Sequence, residues 1–407
     1  MVQDKNMPYL NNSLGFCLMK IYRYHEAETF FEKEIELGKN VEGAVTNLAE
    51  LYTECKQYEK LNELLSNNKL KYLVPIYVQR LFYLEHHQYI DYLKMLISRI
   101  IRHATLDGII AGLFILAIWF TYFVLIDIFE REQFRCLLLT AMLGMFSAFV
   151  CTILYDMFEY VLNFRMSGIW YNDLAYCIFG IGLIEEGVKI MPVLIIYRFK
   201  NLINESVDFI IYASISALGF AFMENLIYFN PHGIHTIAGR AFSAVIIHMV
   251  LSSIAIYGLF LSNRKRWKYP LWLTFGGFFA LACILHGLYD FALLGKGFME
   301  MLAPGSFFLL LYLITVFGKM INNTLNASSF YSDEDTPKLN NLGKFLAFSL
   351  SYILLLQYLA VAIRYNVENA NINILKSLFS SYALIFIIVH ALTKFKLKKN
   401  KLLPVFK

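Results

Sequence analysis

Apolar and polar positions alternate in two different ways along this chain. Over residues 10–103 the apolar residues recur at helical spacing among charged ones, as in amphipathic helices. From Leu106 onward they run in long, nearly unbroken segments, near 106–126, 136–155, 171–197, 209–229, 240–261, 271–294, 304–321, 344–364 and 373–392. Each holds about 18 to 27 residues, enough to cross a hydrocarbon core of roughly 30 Å with some tilt. The pattern predicts an all-α protein: a polytopic transmembrane helical bundle of about 8–9 spans, preceded by a helical repeat domain. Residues 322–343, with NASSFYSDEDTPKLNN, form the only long polar connection between spans and read as a solvated linker.

The repeat is visible in three aligned columns: Leu18, Tyr52 and Tyr83; Tyr24, Tyr58 and Tyr89; Phe31, Leu65 and Leu96. The period is 34 residues, then 31. Each unit is an apolar helix, a short polar turn and a second amphipathic helix, and such hairpins need about three copies to bury their faces. The first unit, with Leu14, Gly15, Leu18, Ala27 and Phe31, resembles a tetratricopeptide repeat. The expected domains are therefore 1–103, a tetratricopeptide-like domain; 104–321, the membrane core; 322–343, the linker; and 344–407, two further spans with a basic tail. The repeat domain would bind a protein or peptide partner, or simply cap and orient the membrane domain.

Composition agrees with a membrane protein: 58% of the 407 residues are hydrophobic and 16% aromatic. The net charge of +5 does not argue for nucleic acid, because the basic residues flank apolar segments. The clusters NRKRWK (263–268) and TKFKLKKNK (393–401) are expected on the cytoplasmic side, as is the loop with Arg198 and Lys200. The basic flank of Lys94, Arg99 and Arg102 favours the same side. Three spans cannot join two cytoplasmic flanks. Either one of the first three segments does not fully cross, with 171–197 the weakest because of its glutamates, or the repeat domain is exported. The first is the expectation, since no cleavable signal peptide opens the chain, and it leaves the repeat domain cytoplasmic. The six cysteines are scattered, without a CxxC pair or zinc spacing.

The candidate chemistry lies inside the spans. Glu185, Glu186 and Lys189 stand in LIEEGVK, Glu224 and Asn225 in FAFMENLIYF, His248 in VIIHMVLSS, and His286 and Asp290 in ILHGLYDFALL. The five charged groups among them would cost on the order of 10–15 kcal/mol if each faced lipid alone, so they are expected to face one another. With 262–270 inside, Glu224, His248 and His286 arrive on three helices of alternating direction at one depth, roughly 7–12 Å below the outer surface. Lys189 follows Glu185 and Glu186 at i+4 and i+3, and Asp290 follows His286 at i+4, so each set shares a helix face. A carboxylate base activating water, with imidazoles or a metal steadying the oxyanion, is suited to amide hydrolysis. The same groups are also the material of a proton- or ion-coupled transporter, or of a non-catalytic scaffold held by buried polar bonds.

In order and spacing, EExxK (Glu185, Glu186, Lys189), FxxxEN (Phe220 to Asn225), the isolated His248, and HGxxD (His286, Gly287, Asp290) resemble the PrsW family of intramembrane proteases. That family is related to the CAAX prenyl proteases and bacteriocin-processing membrane proteases. The resemblance covers roughly residues 140–295. It implies an endopeptidase of the bacterial cytoplasmic membrane that cuts a membrane-bound protein near the extracytoplasmic face, as in site-1 cleavage of an anti-sigma factor. Glu185 or Glu186 would activate water. Glu224, His248 and His286 would hold a zinc ion, or the histidines would serve a metal-free glutamate mechanism; Asn225 and Asp290 would orient.

Overall fold

The computed structural model describes residues 9–199, 202–229, 233–264 and 268–406. Lys200 and the centre of the basic cluster, 265–267, lie outside the described residues. The chain divides into two compact units, Met1–Ile101 and Arg102–Lys407. Among the described residues all regular structure is helical.

The first unit is built from α1 (Leu10–Lys20), α2 (Tyr24–Leu37), α3 (Val41–Glu54), α4 (Tyr58–Ser66), α5 (Ile76–Glu85) and α6 (Tyr89–His103). One aligned column is buried throughout, Phe31, Leu65 and Leu96, whereas Tyr89 of another is exposed. Gly15 lets α1 lie against α2, because a Cβ there would come within 2.7 Å of the Phe31 ring. The fully buried Glu34 accepts the Tyr9 and Asn12 amides, which closes the start of α1. Asn40 caps α3 by accepting the Gly43 amide.

The second unit begins with α7 (Leu106–Ile126) and α8 (Phe134–Leu162). Next comes one continuous helical run: α9 (Trp170–Ala175), a π-helical turn (Tyr176–Gly182) and α10 (Leu183–Tyr197). Then follow α11 (Asp208–Phe229), the short α12 (Ile237–Phe242), α13 (Ala244–Ser262), α14 (Leu271–Leu294), α15 (Ala303–Asn326), α16 (Leu342–Arg364) and α17 (Val367–Thr393). Among the described residues, eight helices are long and apolar enough to cross a membrane. The α9–α10 run is not among these eight and extends over roughly 40 Å at helical rise. At its start Leu174 and Cys177 pack with Phe291 and Met299 beyond the middle of α14, and at its end Tyr197 bonds to Asn263.

That run bears on the path of the chain through the bundle. The connections after α7, α10, α13 and α15 all meet at one end of the bundle. Glu130 N–H donates to Glu205, Tyr197 bonds to Asn263, and Ser206 donates to the Ala327 carbonyl. The start of α7 lies at the other end, where Gly108 approaches Phe229 and Asp107 pairs with Arg364 at 2.8 Å. All three segments run the length of the bundle, and α7 starts at the end opposite Tyr197 and Asn263.

The polar linker is also corrected at its start. Asn322, Asn323 and Asn326 are buried on the last turns of α15 and clamp the backbone of the basic tail. Asn322 accepts the Lys396 amide, Asn323 brackets Leu403, and Asn326 accepts from Lys398 while donating to Lys396 and Lys401 carbonyls. Composition suggested solvent for these amides; they are spent instead on a strand-less tail that has no ladder of its own.

Candidate active site

Two close helix crossings bring the polar segments together. A Cβ on Gly144 of α8 would lie 2.1 Å from the Ser216 carbonyl of α11, and one on Gly219 equally near Ala141 O. In the second crossing, Gly287 of α14 meets Ile178 of the π-turn and Gly182 meets Cys283 O. The π-turn ends one residue before α10 begins, so it sets the rotation of α10 and aims Glu185 and Glu186 toward α14. Turns of this kind are over-represented at functional sites.

All eight candidate residues converge. Lys189 is fully buried, with Nζ 2.8 Å from Glu185 Oε2, 2.9 Å from Glu186 Oε1 and 2.7 Å from His248 Nδ1, above the Phe220 ring. Glu186, also fully buried, has both oxygens occupied: Oε1 faces Lys189 and His286 Nδ1 at 2.8 Å, and Oε2 accepts from Ser252. Glu224 Oε2 lies 2.7 Å from His248 Nε2 and 2.7 Å from Arg240 Nη2, and Asn225 accepts from Arg240 Nε. Asp290 Oδ2 is 3.4 Å from His286 Nε2. The two imidazole centroids are 5.7 Å apart.

Each histidine therefore has one nitrogen held by a carboxylate: His248 Nε2 by Glu224 and His286 Nδ1 by Glu186. The other nitrogens turn inward, 3.7 and 3.6 Å from the same atom, Glu185 Oε2. That oxygen is buried and accepts no well-directed hydrogen bond, although Lys189 stands close by. Donor atoms of Glu185, His248 and His286 lie within 4.8 Å of one another, a spacing that suits a metal. The metal set expected from sequence used Glu224 in place of Glu185. Glu224 is near, but it is engaged by Arg240 and by the outward side of His248.

Charge favours the same conclusion. Four carboxylates face one ammonium and one guanidinium, with the imidazoles between. With neutral histidines the cluster is short of two positive charges, and a divalent ion would balance it. The donor set fits such an ion.

Three participants escaped the sequence reading. Arg240, on α12, stood at the edge of an expected span, where the cost argument that singled out Lys189 applies equally. Ser252 lies one turn after His248 on the same face, so its spacing was a usable signal. Tyr155, which donates to Glu185 Oε1 at 2.6 Å, comes from a helix with no motif and carried no signal.

Residues 132–319 match the profile described as "PrsW family intramembrane metalloprotease". Relatives include Protease PrsW of Geobacillus kaustophilus, 31% identical over 43% of this chain and 75% of that protein. Protease PrsW of Halalkalibacterium halodurans is 31% identical over 40% of this chain and 75% of its own length. That of Bacillus subtilis is 28% identical over 46% and 80%. No solved structure matches the chain.

Proposed function

The chain belongs to the PrsW family and is an intramembrane protease; from that premise we propose how its residues divide the work. The observation that carries the reading is the pair of histidines, each braced by a carboxylate on one nitrogen and facing Glu185 Oε2 with the other. Such bracing fixes the tautomer and strengthens a ligating imidazole. Glu185, His248 and His286 would hold the metal, and a set of three N/O donors suits a catalytic zinc. When bound, the ion supplies Lewis acidity toward water and the scissile carbonyl.

The remaining roles belong to the chain itself. Asp290, a fifth exposed and beside His286 Nε2, accepts the proton of the attacking water and returns it to the leaving amine. Glu186 and Glu224 are positioning residues that hold the two rings. Lys189 keeps Glu185 and Glu186 ionised in a dry site, and Arg240 with Asn225 fixes Glu224. A second reading has one observation in its favour: Lys189 Nζ sits 2.7 Å from His248 Nδ1, where an ammonium does part of a cation's work. In that metal-free version Glu185 Oε2 takes the water proton directly.

The positive-inside rule assigns the basic end of the bundle to the cytoplasm of a bacterial membrane. Glu224, His248 and His286 then lie in the extracytoplasmic half, and α7 starts on that same side. The substrate we propose is a membrane-anchored protein with an extended segment near that face, an anti-sigma factor being the family-derived candidate. The repeat unit is a protein- or peptide-binding arm.

The deciding experiment uses the full chain in proteoliposomes with a reporter membrane substrate. His286→Ala and Glu185→Gln should each abolish cleavage and lower bound zinc from about one per chain. Undiminished cleavage in both folded variants overturns the site. Activity in protein shown by elemental analysis to be metal-free selects the glutamate version.

A further inference from the structure

A second polar cluster lies at the basic end of the bundle, away from the protease site. Asp127 ends α7, Glu205 lies in the connection before α11, and Asp208 starts α11. All three carboxylates are buried, at 3%, 2% and 0% exposure. Each is organised in the same way, with one oxygen tied to backbone amides. Asp127 Oδ2 accepts from Glu132 N–H at 2.6 Å, and Glu205 Oε2 from Glu130 N–H at 3.3 Å. Asp208 Oδ2 accepts from Asn204 and Glu205 N–H at 3.0 and 2.7 Å.

The other oxygen of each, Asp127 Oδ1, Glu205 Oε1 and Asp208 Oδ1, is buried and receives no well-directed hydrogen bond, although the Ser328 hydroxyl stands beside Glu205 and Glu132 beside Asp208. One oxygen from each of the three carboxylates lies within 4.8 Å of the others. Glu132 stands against Asp208 and is held by the Tyr212 hydroxyl. Among the described residues no Lys, Arg or His side chain forms an ion pair with any of the three; Lys338 pairs with Asp335 and donates to the Ile128 carbonyl.

We propose that Asp127, Glu205 and Asp208 form a binding site for a hard divalent cation, of the magnesium or calcium type. Three buried carboxylates that form no ion pair among the described residues, with only Arg131 acting on Asp127 from farther away, repel one another and are costly to desolvate. Backbone amides fix one oxygen of each, and the three groups offer carboxylate oxygens close to one another, as oxygen-ligated cations require. The donor set is all oxygen, unlike the histidine-containing protease cluster, so the two sites select different ions. A bound cation joins the α7–α8 connection to the start of α11, the helix that carries Glu224.

The test uses the full chain in detergent, with His248→Ala and His286→Ala together to silence the first cluster. Metal-free protein is given Mg2+, Ca2+ or Mn2+, with KCl at matched ionic strength as control. The unfolding midpoint should rise by several degrees at millimolar divalent ion but not with KCl, and Mn2+ resonance should report about one ion per chain beyond adventitious binding. Asp127→Asn and Glu205→Gln should each remove the shift while unfolding no lower than the metal-free parent, because each relieves repulsion. No shift with any of the three ions, an equal shift with KCl, or a shift retained in both variants overturns the proposal. Should either variant fail to fold, Mn2+ stoichiometry in the parent decides alone.

Discussion

The protease cluster and the carboxylate cluster at the opposite end are both buried acids in helices of one bundle, yet they are solved differently. In the first, Lys189 and Arg240 are built in, and every glutamate touches a cation or a histidine. In the second, among the described residues, no cation forms an ion pair, and burial with neighbouring acids pushes Asp127 and Glu205 both up to about 7. Buried charge by itself is therefore not a sign of catalysis. The mark of the active site is partial compensation, in which enough positive charge keeps the carboxylates ionised while one oxygen and two ring nitrogens stay directed at a common gap.

The largest effect that would break this contrast is at the gap itself. Glu185→Gln should leave the fold intact and eliminate cleavage, read with the reporter substrate beside an unchanged unfolding midpoint. Next is the built-in cation. Lys189→Met strands Glu185 and Glu186 in a dry site and should destabilise by about 3–5 kcal/mol, measured by equilibrium unfolding. Adding Glu186→Gln should restore part of that loss. If Lys189→Met is neutral for stability, the distinction between a compensated and an uncompensated cluster fails.

Much of this was legible in the sequence because membrane insertion makes polar residues conspicuous. Glu185, Glu186, Lys189, Glu224, His248, His286 and Asp290 stood out against apolar runs, and helical rise alone put Glu224 and the histidines at one depth. What could not be read was rotation about each helix axis. Whether Glu185 or Glu224 faces both rings depends on the π-turn at Tyr176–Gly182, and nothing in YCIFGIG distinguishes it from ordinary helix. The path of 171–197 was obscured for a related reason: two glutamates made the segment look polar, whereas Lys189 and the histidines neutralise them from within. Asn322, Asn323 and Asn326 read as linker because composition does not reveal which amides a distant tail will need.

A smaller effect sharpens the roles of the two bracing carboxylates. Glu224→Gln keeps the shape but weakens the hold on His248, and loss of such a partner typically costs about 10–100-fold in metal affinity or activity. The loss should appear in kcat and zinc retention together. Sidedness can be read on the unmodified chain: Cys17 is exposed on the first unit and should react with an impermeant thiol reagent added outside intact cells. Protection of Cys17 until the cells are opened would return the first unit to the cytoplasm and invert the bundle.

The smallest expected effects separate the two hydroxyls that serve the neighbouring glutamates. Ser252 donates to Glu186 Oε2 at 2.9 Å, and Tyr155 donates to Glu185 Oε1 at 2.6 Å. A hydrogen bond to a charged group contributes about 1.5–3 kcal/mol. The two losses should nevertheless fall on different quantities. Glu186 keeps Lys189 and His286 after Ser252→Ala, so the variant should lose mainly stability and no more than about tenfold in rate, at the low end for a bracing group. Glu185 has only Lys189 besides Tyr155, and its other oxygen is the one turned to both rings. Tyr155→Phe should therefore leave the unfolding midpoint closer to that of the parent and lower kcat and zinc retention more than Ser252→Ala does. If Ser252→Ala proves the more damaging to rate, Glu186 rather than Glu185 is the carboxylate at the centre of the chemistry.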